Sequence, residues 1–271
     1  MQATTVPEIL RCNLAGVILS LKAIGIADVS KVDFIDRPEQ RSFLAAFQTL
    51  IKLGAVDPQT ASLTPFGEEM AVLPTDPVYS RLLVTALKPE FKSVRDSIAA
   101  IVAMLSVENV YYDTKTDGDK QKQKAIKRRK HLQNQSSDHL ALLNVYQALD
   151  SLKTNTEKHN FCHEHLLNIK SLQKAVLIKD QLVEYMDQIL IKRHKKQESE
   201  KKQKTVPTPA DEESKNCLVV SCLLEGMPLN ASTLSHGNTY KTDTGGEECS
   251  IHPSSVLFGR NLAQKNSNNP S

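Results

Sequence analysis

Four potential metal ligands lie close together in the second half of the chain: His159, Cys162, His163 and His165. His159 and His163 have the i,i+4 spacing that places two ligands on one face of a helix. A structural zinc site usually needs a second ligand pair at similar spacing, and the cysteines at 217 and 222 lie far away in an apolar run. We therefore expect a histidine-rich helix and no metal site.

Patterns that support catalysis are absent from the sequence. A P-loop needs G-x-x-x-x-G-K-[ST], because backbone N–H groups of a glycine-rich turn hold the phosphates, and none of the ten glycines provides it. There is also no G-x-S-x-G elbow and no H-E-x-x-H helix. The adjacent acids Glu68 and Glu69 would diverge on a helix, so we interpret them as solvated surface. We assign no catalytic residue.

Positive charge is concentrated in two short tracts. The chain has 271 residues, 34 Lys+Arg, 31 Asp+Glu and a formal net charge of +3. Residues 115–130 contain eight bases and two acids, and residues 192–204 contain seven bases and two acids, which leaves −8 for the remainder. The longest uncharged stretches are well short of the roughly 20 apolar residues that span a bilayer, so we expect no membrane partner.

The first 75 residues predict a winged helix. Apolar positions three and four apart indicate one helix that stops at Gly25 and a second from Glu39 to Leu53. Two very short extended segments about a turn follow within residues 55–64, and Thr64-Pro65 then caps another short helix. The second helix offers only two bases, at 41 and 52, so we interpret this domain as a structural hinge and docking surface and not as a DNA reader.

From residue 76 onward the pattern predicts a helical bundle. Five segments have helical periodicity: Val78–Leu87, Val94–Val107, Asp138–Leu152, Glu157–Leu167 and Ser171–Ile191. A polar linker rich in proline and acid follows the second basic tract. Residues 240–242 and 248–251, separated by two glycines, predict a β-hairpin.

Several strings in this order resemble the C-terminal half of DEAH-box ATP-dependent RNA helicases. They are Thr5–Arg11, Leu53–Asp57, Leu63–Gly67 with Met70–Pro74, Ile101–Val110, Asp138–Tyr146 and Ile251–Phe258. The resemblance extends from residue 4 to about residue 260. Local propensity favours a strand at Cys217–Leu224, whereas the resemblance implies a helix there, and we follow the resemblance.

The resemblance implies a mainly α fold: a winged helix followed by a helical bundle (ratchet) and a truncated C-terminal OB-fold β segment. We place a winged-helix domain at 1–75, a ratchet domain at 76–192 with a disordered basic insertion at 114–137, and a charged linker at 193–215. A partial OB-fold would occupy 216–261 and a disordered tail 262–271. The chain contains no D-E-A-H string, so ATP and Mg would bind motor domains outside it, and we expect no cofactor in this chain.

The resemblance also implies one wall of an RNA channel. Arginines of the family's ratchet helices are replaced here by Lys170 and Lys179, which we predict to contact phosphates of single-stranded RNA. His252, Ser254 and Ser255 would add hydrogen bonds from the OB side.

The basic clusters have three open interpretations: nuclear import signals, unspecific RNA tethers, or charged loops that keep an insertion soluble. Their members are Lys127, Arg128, Arg129 and Lys130 in the first cluster, and Lys192, Arg193, Lys195 and Lys196 in the second.

The implied function is an accessory module that helps form the RNA channel of a DEAH-box helicase in splicing or ribosome biogenesis. Its partners would be single-stranded RNA, ATP-driven motor domains and a G-patch activator protein, in the nucleoplasm, nucleolus or cytoplasm. The alternative is a non-enzymatic RNA-binding or adaptor protein that retains the ratchet fold.

Overall fold

The computed structural model describes residues 7–10, 13–112, 132, 134, 136–197, 211–237, 239–253 and 255–258. In these ranges the chain forms nine α-helices and one three-stranded antiparallel sheet, which confirms the mainly α class. No helix among these residues is long and apolar enough to cross a membrane. The chain forms two compact units, which do not follow the order of the sequence. The first comprises Met1–Lys92, Tyr185–Val206 and Cys222–Leu229, and the second comprises Ser93–Glu184, Pro207–Ser221 and Asn230–Ser271.

Four helices form most of the first unit: α1 (Ala15–Ala23), α2 (Gln40–Lys52), α3 (Pro65–Val72) and α4 (Pro77–Thr85). Their core side chains are fully buried, and the largest are Ile18, Leu50, Leu53, Met70, Leu82 and Leu83. The predicted wing is present but small, because Val56 and Leu63 form a single antiparallel bridge. Asp57 shapes its tip by accepting hydrogen bonds from the N–H groups of Gln59 and Thr60 at 2.9 and 2.8 Å.

Helix α3 begins as the sequence predicts. The Thr64 hydroxyl oxygen accepts a hydrogen bond from the Gly67 N–H at 2.9 Å, and the same hydroxyl donates to the Gly54 carbonyl at 2.7 Å. A Cβ on Gly67 would lie 2.0 Å from the Ala55 carbonyl oxygen. Glycine is therefore required at this position for α3 to pack against the wing.

A distant segment of the chain completes the first unit. Gly226, the last residue of α9 (Glu212–Gly226), packs so closely on α4 that a Cβ there would lie 2.8 Å from the Leu82 Cα. Lys88 forms an ion pair with the Glu225 carboxylate. The Arg81 guanidinium lies 5.4 Å from the centre of the Phe66 ring and donates to the Leu53 carbonyl, which follows α2. These contacts join the ends of α2 and α9 to α4.

Five helices contribute to the second unit: α5 (Arg95–Leu105), α6 (Asp138–Asp150), α7 (Asn155–Glu164), α8 (Ile169–Gln197) and α9. Helix α8 contributes its residues up to Glu184 and α9 its residues up to Ser221. Residues 97–104 of α5 are all buried, so α5 is the central helix of this unit. It packs against α6, which buries Leu143, Tyr146 and Leu149. The structure thus has helices at each of the five segments with predicted helical periodicity, and the helix expected at Cys217–Leu224 is confirmed.

The small sheet has the order β1 (Ser232–His236), β2 (Thr239–Thr242) and β3 (Glu248–Ser250). The β2–β3 hairpin confirms the prediction, with Tyr240 opposite Cys249. Strand β1 was not predicted, because its residues are mostly polar and lack a period-two apolar pattern. The OB-fold assignment for this segment stays a prediction. The predicted disorder at 262–271 concerns residues outside the described ranges, and so does most of the predicted insertion at 114–137.

Candidate RNA-binding surface

The first turn of α8 is held by a side-chain cap. The Asn168 side-chain oxygen accepts hydrogen bonds from the N–H groups of Lys170 at 3.1 Å and of Ser171 at 3.4 Å. These are N–H groups that lack a partner inside the helix, so the cap fixes the direction of the first turn.

The segment that follows α5 is tied to the same turn. The Ser171 hydroxyl donates to the Glu108 carbonyl at 2.7 Å, and the Asn168 N–H donates to the Val110 carbonyl at 2.9 Å. Tyr111 and Leu167 form an antiparallel bridge. Residues 108–112 and the start of α8 are therefore one hydrogen-bonded piece of the second unit.

The structure separates the two predicted ratchet lysines. Lys170 is exposed, whereas the Lys179 side chain is 23% exposed and its Nζ lies 3.4 Å from the Asp180 carboxylate. Nine residues correspond to about two and a half helical turns, so the two lysines lie on opposite faces of α8. Lys174, which the sequence analysis missed, is exposed one turn beyond Lys170 on the same face. Its i,i+4 spacing from Lys170 was a signal that could have identified it.

The turn that contains His252 and Ser255 is fixed to the N-terminus of α6. The Ser255 hydroxyl donates to Asp138 Oδ2 at 2.6 Å, and the Val256 N–H donates to Asp138 Oδ1 at 2.8 Å. The Ser255 oxygen also accepts from the Leu257 N–H at 3.1 Å. Ser255 therefore holds the turn on the bundle, while His252 is exposed and Ser254 lies outside the described residues.

Arg193 does not belong to an exposed basic cluster, contrary to the prediction for this residue. Its guanidinium donates to both carboxylate oxygens of Glu69, at 2.7 and 2.6 Å, and to the Leu87 carbonyl at 3.2 Å. The Arg193 side chain is 28% exposed and the Glu69 side chain is 24% exposed. The interpretation of Glu69 as solvated surface is wrong for the same reason. No local pattern could reveal this pair, because its members lie 124 residues apart.

Two other bases of the second cluster, Lys192 and Lys195, are exposed on α8. They lie three residues apart and so share a face of the helix. The Lys196 side chain and the whole first cluster, residues 127–130, lie outside the described part of the chain. The predictions for those residues therefore stay predictions.

The histidine-rich segment forms α7 and the turn after it. Cys162 and His165 are buried, and the imidazole of His165 stacks on the Phe161 ring with centroids 4.5 Å apart. His159 and His163 are exposed. Among the residues that the structure describes, no group of three or more His, Cys, Asp or Glu side chains could hold a metal ion.

Family profiles match the two parts of the fold in order. The helicase-associated domain (HA2), winged-helix, matches residues 46–75, and the helicase-associated domain (HA2), ratchet-like, matches residues 76–142. Full-length proteins match over almost the whole chain. The prp22 protein of Schizosaccharomyces pombe, a pre-mRNA-splicing factor ATP-dependent RNA helicase, is 34% identical over 261 residues, which are 96% of this chain.

The chain corresponds to the helicase-associated, C-terminal region of DEAH-box RNA helicases. Two further relatives are each 31% identical: human DHX35, a probable ATP-dependent RNA helicase, over 94% of this chain, and the Arabidopsis thaliana splicing helicase DEAH10 over 95%. The chain spans only 20% of the S. pombe protein, 33% of the human protein and 34% of the Arabidopsis protein.

This helicase-associated region thus presents exposed bases from two parts of α8, Lys170 with Lys174 in the second unit and Lys192 with Lys195 in the first. Such bases can contact phosphates without regard to sequence.

Proposed function

We propose that this chain is the accessory module of a DEAH-box RNA helicase, which lines part of an RNA channel and couples it to ATP-driven motor domains. The observation that supports this best is the order of a winged helix and a ratchet-like bundle in a chain that matches such helicases over 94–96% of its length. Two of the relatives are pre-mRNA-splicing factors by name, so we propose a role in RNA processing such as splicing.

Single-stranded RNA is the proposed ligand, held through its phosphates. Lys170 and Lys174 are exposed, share one face of α8 and start from a capped, hydrogen-bonded turn. A positively charged track of this kind binds single strands with little sequence preference. Lys179 lies on the other face beside Asp180, so its proposed contact is weaker than that of Lys170. His252 is the exposed member of the second contact group.

The winged helix is the proposed docking surface for a protein activator of the G-patch class. Leu44 of α2 is 55% exposed, and Phe43 and Phe47 on the same helix are only half-buried. Arg41 is paired with Glu39 at 2.6 Å, which leaves this helix poorly suited to phosphates. An apolar helix face with few available cations favours a protein partner over DNA.

We also propose a nuclear location, since splicing acts there. Of the second basic cluster, Lys192 and Lys195 are available on the surface for an import receptor or for RNA, whereas Arg193 is occupied by Glu69. A fluorescently tagged chain should accumulate in the nucleus, and substitution of residues 127–130 by alanine should show whether the first cluster directs it there.

The decisive test of the proposed function is equilibrium binding of the whole chain to a labelled, unstructured RNA, followed by fluorescence anisotropy at several salt concentrations. We expect the logarithm of the affinity to fall linearly with the logarithm of salt concentration, by about 0.7 for each phosphate contact. A matched RNA duplex should bind more weakly. Absence of binding to the single strand would contradict the proposal, and ATP hydrolysis by the purified chain alone would contradict an accessory role.

A further inference from the structure

Two exposed tyrosines lie in the segment that pairs with the residues just before α8. Tyr111 is 38% exposed and Tyr112 is 53% exposed, in the short segment that follows α5. Large aromatic side chains are usually at least partly covered in a folded protein, because burying them is strongly favourable. An exposed tyrosine on a hydrogen-bonded segment can serve as a stacking contact, as aromatic side chains do in proteins that bind single strands.

The backbone that supports Tyr112 is fixed. Its N–H donates to the Leu166 carbonyl at 3.1 Å, and the neighbouring residues Tyr111 and Leu167 form an antiparallel bridge. Consecutive residues of an extended segment point to opposite sides, so the two tyrosine rings cannot act together on one ligand. Tyr112, the more exposed of the two, is the ring presented from this bridge.

Exposed bases lie at the other end of the same hydrogen-bonded piece, because the antiparallel pairing puts Tyr112 opposite Leu166 and Glu108 close to Ser171. The chain continues from Leu166, the partner of Tyr112, through the Asn168 cap to Lys170, and Lys174 follows one turn later on the same face. Proteins hold single strands with exposed aromatic rings that stack on bases and with cations that contact phosphates, and a strand several nucleotides long could contact both ends of this piece. A protein partner would not require the lysines.

One acidic residue opposes this arrangement. The Glu108 carbonyl accepts from the Ser171 hydroxyl, so the exposed Glu108 carboxylate belongs to the same piece of structure. It reduces the local positive charge, and removal of its charge should strengthen RNA binding.

We propose that Tyr112 stacks on a base of the single-stranded RNA whose phosphates contact Lys170 and Lys174. This inference rests on the proposed function and adds to it a contact with a base. Stacking on a tyrosine ring tolerates any base, because every base has a π face, so the contact is compatible with binding that ignores sequence.

The test compares Tyr112→Ala, Tyr112→Phe and the wild-type chain, with labelled oligouridine and with an abasic oligonucleotide of the same length and charge. Tyr112→Ala should weaken binding of oligouridine about five-fold or more, while Tyr112→Phe, which keeps the ring, should bind within about two-fold of wild type. The abasic strand should bind all three proteins equally. Leu224→Ala is the matched control, since it removes a comparably exposed apolar side chain from the first unit.

Tyrosine fluorescence gives a second readout, because the chain has six tyrosines and no tryptophan. RNA should quench part of this emission in wild type, and less of it in Tyr112→Ala. If the wild-type chain binds oligouridine but Tyr112→Ala binds equally well, the stacking proposal is wrong and the proposed function stands. If Tyr112→Ala weakens binding of the abasic strand as much, the residue acts through structure and the proposal is wrong. If the wild-type chain does not bind RNA, both proposals fail.

Discussion

The two parts of α8 use their basic residues differently. In the first turns, Lys170 and Lys174 are exposed to solvent at a capped helix end. In the part that belongs to the first unit, Arg193 donates hydrogen bonds to Glu69 and to the Leu87 carbonyl. One helix thus uses its bases in two ways. The lysines are available to a ligand. The arginine stabilises the fold through a bidentate ion pair, which the single ammonium group of a lysine does not form. Basic charge in this sequence therefore cannot be equated with RNA affinity.

The largest expected effect comes from breaking the ion pair. Arg193→Met keeps most of the side-chain volume but leaves the Glu69 carboxylate three-quarters covered without its partner. We expect the free energy of unfolding of the first unit to fall by about 2 kcal/mol, because hydrogen bonds between charged groups of low exposure are lost. Lys192→Met, at the preceding residue, is the control and should change the free energy of unfolding by less than about 0.5 kcal/mol.

The reactivity of Cys222 can report the loss of stability in the first unit, because this residue belongs to that unit and its thiol is buried. Burial raises the pKa of Cys222 to about 12, so the thiol should react with an alkylating reagent at neutral pH only after opening. The rate should rise strongly in Arg193→Met and little in Lys192→Met. If Arg193→Met and Glu69→Gln destabilise additively in the double variant, the ion pair is not the source of the effect.

A smaller loss is expected at the turn held by Asp138. Asp138→Ala removes the acceptors of the Ser255 hydroxyl and the Val256 N–H, and should destabilise the attachment of residues 252–258 by about 1 to 2 kcal/mol. Limited proteolysis should cut this turn faster. Asp150→Ala, at the exposed other end of α6, is the control. Equal proteolysis of both variants would show that the turn does not depend on Asp138.

Much of the fold was predictable because its signals are local. The apolar stripes that indicate α5, α6 and α8 each lie within one segment, and the Thr64-Pro65 start of α3 is a short motif. The pairing of Asp138 with Ser255, 117 residues apart, and the joining of residues 222–229 to the first unit leave no trace in any one segment. For the candidate site, the sequence predicted Lys170 as a contact, and the structure shows that this residue is exposed. It could not show that Lys179 lies against Asp180, because that depends on how α8 packs.

The smallest expected effect is a pH dependence at an exposed cap. Glu157 completes a capping box at α7, and hydrogen bonds from the backbone and side chain of Thr154 lower its pKa below the usual 4.5. A carboxylate whose pKa is lower in the folded state stabilises the fold above its unfolded pKa. That contribution should disappear as the pH falls from about 4.5 through the lower folded pKa. Urea titrations of wild type and Glu157→Gln should differ near pH 6, and the difference should shrink as the pH falls below about 4.5. A constant difference would contradict this assignment.

The most direct test of the contrast within α8 is the salt dependence of RNA affinity in three proteins: wild type, Lys170→Ala with Lys174→Ala, and Lys192→Met. If the phosphate contacts lie at the first turns of α8, the double variant should lower the slope of log affinity against log salt by about 1.4, since each single-strand phosphate contact contributes about 0.7. Lys192→Met should change this slope by no more than about 0.7, the contribution of one phosphate contact. An unchanged slope in the double variant, with RNA still bound, would contradict the account.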